Sequence, residues 1–267
     1  MDSLQAVVLG IVQGLTEFLP VSSSGHLVLV PWALGWGEPG LLFDTLVHWG
    51  TLLAVVAYFW NDLWGMIKAW VDSVRRRKLD SPLAWMAWMI IIGTIPAVIA
   101  GVLLEDFFES LFSAPVAVGA FLLVTGTILA ASEIFYPRIA KRPAVRLPDA
   151  LVIGLAQAAA ICPGLSRSGL TITAGMFRGL TREAAARFSF LLSVPIILGA
   201  GLMQVLGAVR EPGGTALLPL ALGFTAAAIS GYLAIHFLLG FVRRHKLWPF
   251  AIYCWALGIA ALLSNVL

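Results

Sequence analysis

The chain has 267 residues, of which 60% are hydrophobic and only 12% charged, and its mean hydropathy is +0.94. That balance excludes an ordinary soluble domain, because several stretches approach the roughly 20 apolar residues needed to cross a bilayer core. The net charge of +3 is too small to suggest a nucleic-acid partner, and none is expected; the placement of the charges says more than their sum.

The first residues, MDSLQAVV, lack the basic start of a secretory signal and carry Asp2 instead, so no cleavage is expected. Apolar segments follow at 1–19, 21–36, 43–62, 83–104, 115–136, 149–163, 168–180, 186–208, 216–240 and 248–266. Six of them, at 43–62, 83–104, 115–136, 186–208, 216–240 and 248–266, are long enough to span. The other four form two short pairs, each interrupted by Pro, Gly and Ser. Such pairs are expected to be re-entrant helix–loop–helix hairpins, tolerated only where protein buries them or they line a wet cavity. Cys162 and Cys254 share no spacing motif, so neither a disulfide framework nor a zinc site is expected.

The basic residues test this layout. Lys68, Arg75, Arg76, Arg77 and Lys78 follow the first span, and Arg138, Lys141, Arg142 and Arg146 follow the third. Arg178, Arg182 and Arg187 follow the second hairpin, while Arg243, Arg244 and Lys246 precede the last span. These are 15 of the 17 Lys and Arg residues, and alternation assigns all four loops to one side. The positive-inside rule makes that side cytoplasmic. The opposite loops, with Glu105, Asp106 and Glu109 and with Arg210 and Glu211, are acidic or neutral. Both termini are then expected outside, with the hairpins entering from opposite faces.

Shifting the second hairpin by 144 residues aligns Gly154 with Gly10 and Gln157 with Gln13. Ser166, Ser168 and Gly169 then fall on Ser22, Ser24 and Gly25. Each hairpin precedes three spans, and an odd number of spans inverts the second unit. One membrane domain over 1–267 is expected, built from inverted repeats at about 1–136 and 149–267. In such folds interrupted helices meet near the midplane and form the site.

The residues with chemistry lie at the two interruptions. Gln13 and Glu17 are four apart and share a helix face, and a carboxylate at membrane depth suggests function. Pro20 ends that helix, and Ser22, Ser23 and Ser24 precede Gly25 and His26. The serines can cap the next helix, whose free N–H groups attract anions; together with Glu17 and His26 they also supply a nucleophile, a base and an orienting group. In the second interruption Arg167 is flanked by Gly164, Ser166, Ser168 and Thr171. Its planar fork suits phosphate or carboxylate. A buried Arg167–Glu17 ion pair clamping the hairpins is the structural alternative, and both roles can hold. Asp44 and His48 could also line the site, or equally sit at the interfacial end of their span. His236 is expected to be structural, Glu133 to snorkel, and Tyr136 and Tyr253 to join interfacial belts. On fold logic alone, a transporter and an enzyme fit equally well.

The sequence resembles the bacterial undecaprenyl-diphosphate phosphatases, also called bacitracin-resistance proteins. The resemblance covers essentially the whole chain and rests on QGLTEFLPVSSSGH (13–26), PGLSRSGLT (163–171), FSFLLSVPIILGA (188–200) and FLLGFVRRHKLWPFAIYCWALG (237–258). The family's (Glu/Gln)-x-x-x-Glu motif falls on Gln13 and Glu17, and its Pro-Gly-x-Ser-Arg-Ser-x-x-Thr motif on Pro163 to Thr171. Many members carry Glu at the position of Gln13, so no essential acid or charged metal ligand is assigned there. The resemblance implies a phosphatase of the bacterial inner membrane that removes the terminal phosphate of undecaprenyl diphosphate. It implies a site open to the outer face and a divalent cation, Mg²⁺ or Ca²⁺, with Glu17 as ligand or acid/base. Arg167 and the neighbouring hydroxyls would hold the diphosphate; Ser23 or His26 attacks, or His26 activates water or the serine, and Ser23 with His26 as its partner is the favoured arrangement. The prenyl tail would leave through a lipid-facing gap. A homodimer is compatible with this size.

Overall fold

A computed structural model of the chain describes residues 1–37, 39–104, 107–108, 111, 115–136, 141–208 and 217–264, leaving aside the side chains of 115 and 205–208. Its helices in chain order are α1 (Ser3–Phe18), α2 (Ser23–Leu34), α3 (Leu41–Tyr58), α4 (Trp60–Arg76), α5 (Pro82–Leu103) and α6 (Pro115–Phe135). They continue as α7 (Leu147–Ala159), α8 (Arg167–Phe177), α9 (Arg182–Ala208), α10 (Leu217–Arg244) and α11 (Trp248–Ser264). The one β-type pairing among the described residues is an isolated bridge between Arg142 and Leu180.

Five helices, α3, α5, α6, α9 and α10, are long and apolar enough to cross a bilayer. The chain is an all-α polytopic membrane protein. The sixth expected span, 248–266, corresponds to α11, whose 17 residues rise about 25 Å. The acidic residues Glu105, Asp106 and Glu109, together with Arg138, Arg210 and Glu211, lie outside the described residues.

Local chemistry explains where the short helices stop. Asp2 caps α1 reciprocally: Gln5 N–H donates to its carboxylate at 2.8 Å, and its own N–H donates to Gln5 Oε1 at 3.1 Å. Leu19, ahead of Pro20, is extended and ends that helix. Ser22 caps α2 by accepting from Gly25 N–H at 3.3 Å, and Ser166 caps α8 by accepting from Gly169 N–H at 3.0 Å. The two interruptions therefore use the same Ser-x-x-Gly cap.

The hairpins are also seated alike. A Cβ on Gly10 of α1 would stand 2.4 Å from the Gly223 carbonyl oxygen of α10. A Cβ on Gly154 of α7 would stand 2.4 Å from the Gly93 carbonyl oxygen of α5. In both places helix backbones touch because no side chain intervenes. The hairpins pack over a shared core in which Phe18 meets Phe190 edge to face at 5.3 Å.

Three readings of the sequence require correction. The span expected at 43–62 is present as α3 but ends early, at Tyr58, and the chain turns at Phe59 into α4. α4 is amphipathic, with Trp60, Trp64, Ile67 and Val74 exposed and Arg75 and Arg76 in its last turn, where the helix dipole favours them. Glu133 does not snorkel. It is buried and takes a forked pair of bonds from Arg182 at 3.0 and 2.5 Å, plus the Leu247 N–H at 2.9 Å. Arg182 in turn covers the buried ring of Tyr136 at 4.4 Å, so that tyrosine belongs to a packed joint and not to an interfacial belt.

Candidate active site

Glu17, near the end of α1, is the acceptor on which the site converges. Its Oε1 receives Arg167 Nη2 at 2.5 Å, and its Oε2 receives the Ser23 hydroxyl at 2.6 Å and Gln13 Nε2 at 3.0 Å. His48 of α3 brings Nε2 to 3.9 Å from the same Oε2. The carboxylate is 7% exposed, so these donors replace most of its hydration. Gln13 and Glu17 do share one face of α1, as their spacing requires.

Arg167 is held from two further directions. Its Nη1 donates to the Ser189 carbonyl at 3.2 Å, and its own carbonyl accepts from Thr171 Oγ1 at 2.7 Å. Thr171 and Ser189 hydroxyls lie 2.7 Å apart. Ser23 and Arg167 are the first residues of α2 and α8. The positive ends of two helix dipoles thus flank the same carboxylate, and the site offers a concentrated field for an anion.

The remaining hydroxyls mostly build the tips. Ser22 and Ser24 Oγ are 3.3 Å apart and Ser166 and Ser168 Oγ 3.2 Å apart, while Ser168 donates to the Leu19 carbonyl at 3.0 Å. Ser166 N–H donates to Thr125 Oγ1 at 3.1 Å, and Thr125 donates to the Gly164 carbonyl at 3.0 Å. Gly164 has φ +95°, and a Cβ there would strike the Val118 carbonyl oxygen at 2.5 Å. A Cβ on Gly25 would lie only 3.4 Å from the Gly164 Cα, so the two tips touch through glycines.

His26 is not bonded to Ser23. Its Nδ1 lies 2.7 Å from the Ser22 carbonyl and its Nε2 2.7 Å from the Tyr253 hydroxyl. The expected Ser23–His26 pair is therefore replaced by a Ser23–Glu17 pair in this geometry. Tyr253, expected in an interfacial belt from sequence, reaches the hairpin through its hydroxyl. Asp44 lies one turn before His48, and its backbone carbonyl accepts from His48 Nδ1 at 2.7 Å. His236 stands apart, 3.4 Å from the Tyr58 hydroxyl.

A divalent cation can be tested against these donors. Gln13 is fully buried, and its Oε1 has no hydrogen-bond partner among the described residues, which leaves a hard oxygen beside the Glu17 carboxylate. Among the described residues no group of three or more His, Cys, Asp or Glu side chains converges. The donor set fits a hard ion that takes one carboxylate and an amide oxygen and completes its shell with phosphate and water. A fully protein-made cage is a poor fit.

Thr125 lies in no motif singled out in the sequence, and Ser189 and Tyr253 lie in the resembling segments 188–200 and 237–258 with no site role assigned to them. Thr125 and Tyr253 lie inside apolar spans, and no local pattern separates a hydroxyl aimed at the tips from one bonded to its own helix. Ser189 lies in a segment that the family resemblance covers, but no spacing singles it out.

Comparison with known proteins gives one consistent answer. The family model described as "Bacitracin resistance protein BacA" matches residues 6–260. An undecaprenyl-diphosphatase of Desulforudis audaxviator (strain MP104C) is 44% identical over 267 residues, covering 100% of this chain and 99% of that protein. One from Pelobacter propionicus is 45% identical over 95% of this chain and 93% of its own, and one from Thermomicrobium roseum 46% identical over 98% of each.

Proposed function

The chain belongs to the family of the bacitracin resistance protein BacA, and we infer that it hydrolyses undecaprenyl diphosphate to undecaprenyl phosphate and inorganic phosphate. It is an integral membrane phosphatase that recycles the lipid carrier of cell-wall synthesis and so confers bacitracin resistance. The observation that carries the chemistry is the Ser23 hydroxyl donating at 2.6 Å to a carboxylate whose other oxygen is held by Arg167.

Glu17 Oε2 accepts the Ser23 proton. Ser23 Oγ bonds to the terminal phosphorus as the bond from that phosphorus to the bridging oxygen breaks, and undecaprenyl phosphate leaves with the electron pair. Water then attacks the phosphoserine, Ser23 Oγ leaves and recovers its proton from Glu17, and inorganic phosphate is released. Arg167 and the N-termini of α2 and α8 stabilise the charge that spreads over the equatorial phosphate oxygens, which is most of what phosphoryl transfer asks of a protein. Mg²⁺ or Ca²⁺, held by Glu17 and Gln13 Oε1, would neutralise further phosphate charge when bound.

The architecture we read around this site is an inverted repeat of about 1–136 and 149–267, with six spans and two re-entrant hairpins. The matched Ser-x-x-Gly caps and the paired Gly10–Gly223 and Gly154–Gly93 contacts support it. The basic residues of four loops favour an orientation in which the site opens to the outer face and both termini lie outside.

The test is phosphate release from undecaprenyl diphosphate by purified protein in detergent, followed by acid quench and mapping of enzyme-bound phosphate. Phosphate on Ser23, with release lost in Ser23→Ala, Glu17→Ala and Arg167→Ala, is the expected result. A phosphohistidine at His26 would overturn the serine assignment, and no release from folded protein would overturn the activity.

A further inference from the structure

His26 is held at both ring nitrogens, and the second holder comes from the far end of the chain. Nδ1 faces the Ser22 carbonyl at 2.7 Å. A carbonyl only accepts, so Nδ1 carries the proton, and in the neutral ring Nε2 presents its lone pair. Tyr253 of α11, 227 residues away, donates its O–H to that lone pair at 2.7 Å, with the two ring planes within 3° of parallel. The imidazole is 5% exposed, so its tautomer and its rotation are both fixed by these two bonds.

What His26 grips matters for the reaction. Ser22 has φ +71°, a left-handed conformation that is strained for a residue with a side chain. It immediately precedes Ser23, and the Ser22 carbonyl belongs to the peptide that carries the Ser23 N–H. A clamp on that carbonyl therefore sets the direction in which the Ser23 hydroxyl leaves the backbone. The same carbonyl also accepts the His26 backbone N–H at 3.2 Å, so the imidazole is the second of two holds on this peptide; weakening it should let the peptide relax and swing the Ser23 hydroxyl away from Glu17.

We propose that Tyr253 is a positioning residue: through His26 it locks the strained Ser22–Ser23 peptide so that the Ser23 hydroxyl stays on Glu17. This rests on the reading of Ser23 as nucleophile. The Tyr253 phenol contributes one bond to one acceptor, and its ring otherwise lies on the half-exposed flank of α11. Its effect should accordingly vanish when His26 is absent.

The experiment is a double-mutant cycle on undecaprenyl diphosphate hydrolysis with Tyr253→Phe, His26→Ala and both together, accompanied by ring-¹⁵N histidine NMR of each. Tyr253→Phe should lower kcat about tenfold, the size of one lost hydrogen bond, with KM unchanged. In the His26→Ala background it should have no further effect. The Nε2 resonance of His26, identified by its loss in His26→Ala, should move in Tyr253→Phe while the other histidine signals stay. Full kcat in Tyr253→Phe, or equal losses with and without His26, would overturn the proposal and leave Tyr253 as a helix-docking contact. A wild-type protein without activity would sink the phosphatase reading instead, while the NMR shift would still report whether Tyr253 fixes His26.

Discussion

Arg167 and Glu17 belong to different hairpins, 150 residues apart, and meet at 2.5 Å between the starts of two helices. The pair joins the two tips and also holds the charge that a diphosphate would meet. Replacing Arg167 by Lys retains the charge but loses the fork that reaches Glu17 and the Ser189 carbonyl together. We expect Arg167→Lys to fold and to lose about 10²-fold in kcat, the scale of one preorganised donor. Arg167→Ala leaves Glu17 uncompensated and should also cost about 3–5 kcal/mol of stability. Parallel kinetics and thermal unfolding in detergent separate the two effects. Equal unfolding temperatures for wild type and Arg167→Ala would mean that the pair does not clamp the hairpins.

The glycine contacts give a prediction independent of chemistry. A Cβ at Gly154 meets the Gly93 carbonyl carbon and oxygen at 3.1 and 2.4 Å, all backbone, so the helices must separate. Gly154→Ala should destabilise by about 1–3 kcal/mol. Gly240, on α10 with nothing near its notional Cβ, is the control. Gly240→Ala should be neutral or stabilise by up to about 1 kcal/mol, because alanine is the better helix former. Thermal unfolding of both variants would decide; a similar loss at both positions would show that helix propensity, not close packing, is being measured.

The sequence made some of this legible for a physical reason. Polar residues inside apolar segments have few excuses, so Gln13, Glu17, Arg167 and the Ser-rich interruptions stand out, and a guanidinium at membrane depth needs an anionic partner, phosphate or carboxylate. What it hid depends on distance or on mixed composition. The bond from Tyr253 to His26 spans almost the whole chain, and a tyrosine near a span end reads as an interfacial anchor. α4 is hidden because its first residues, with Trp60, extend the preceding apolar run while its charges resemble a loop. Glu133 was misread because nothing local reveals that Arg182 and the Leu247 N–H converge on it.

Gln13 offers a handle on the cation. Gln13→Glu removes the Nε2 donor from Glu17 and sets a second carboxylate beside it, so repulsion in the metal-free site is relieved when a divalent ion binds. The midpoint for Mg²⁺ or Ca²⁺ activation should fall about tenfold or more, since 1.4 kcal/mol is one decade. Chelator should abolish activity in both proteins, and thermal stabilisation by added cation should be larger in the variant. An unchanged midpoint would place the cation away from Gln13 and Glu17.

The joint around Glu133 should behave as structure and not as catalysis. Glu133→Gln keeps an acceptor for the Leu247 N–H but strips the charge that neutralises Arg182, whose side chain is 20% exposed. Leaving one partner of a buried pair unmatched costs about 3–5 kcal/mol. The exposed Arg187–Asp62 pair, at 2.9 Å with both side chains about two-fifths exposed, provides the contrast. Asp62→Asn should cost less than about 1 kcal/mol, because water already screens that interaction. In both variants kcat of the folded protein should stay within about twofold of wild type, since neither residue touches Glu17, Ser23 or Arg167. The outcome against this account is specific: a large fall in kcat for Glu133→Gln at unchanged unfolding temperature. It would mean that the Glu133–Arg182–Leu247 joint communicates with the hairpin tips, and Tyr253, carried on α11, would be the first residue through which to trace that coupling.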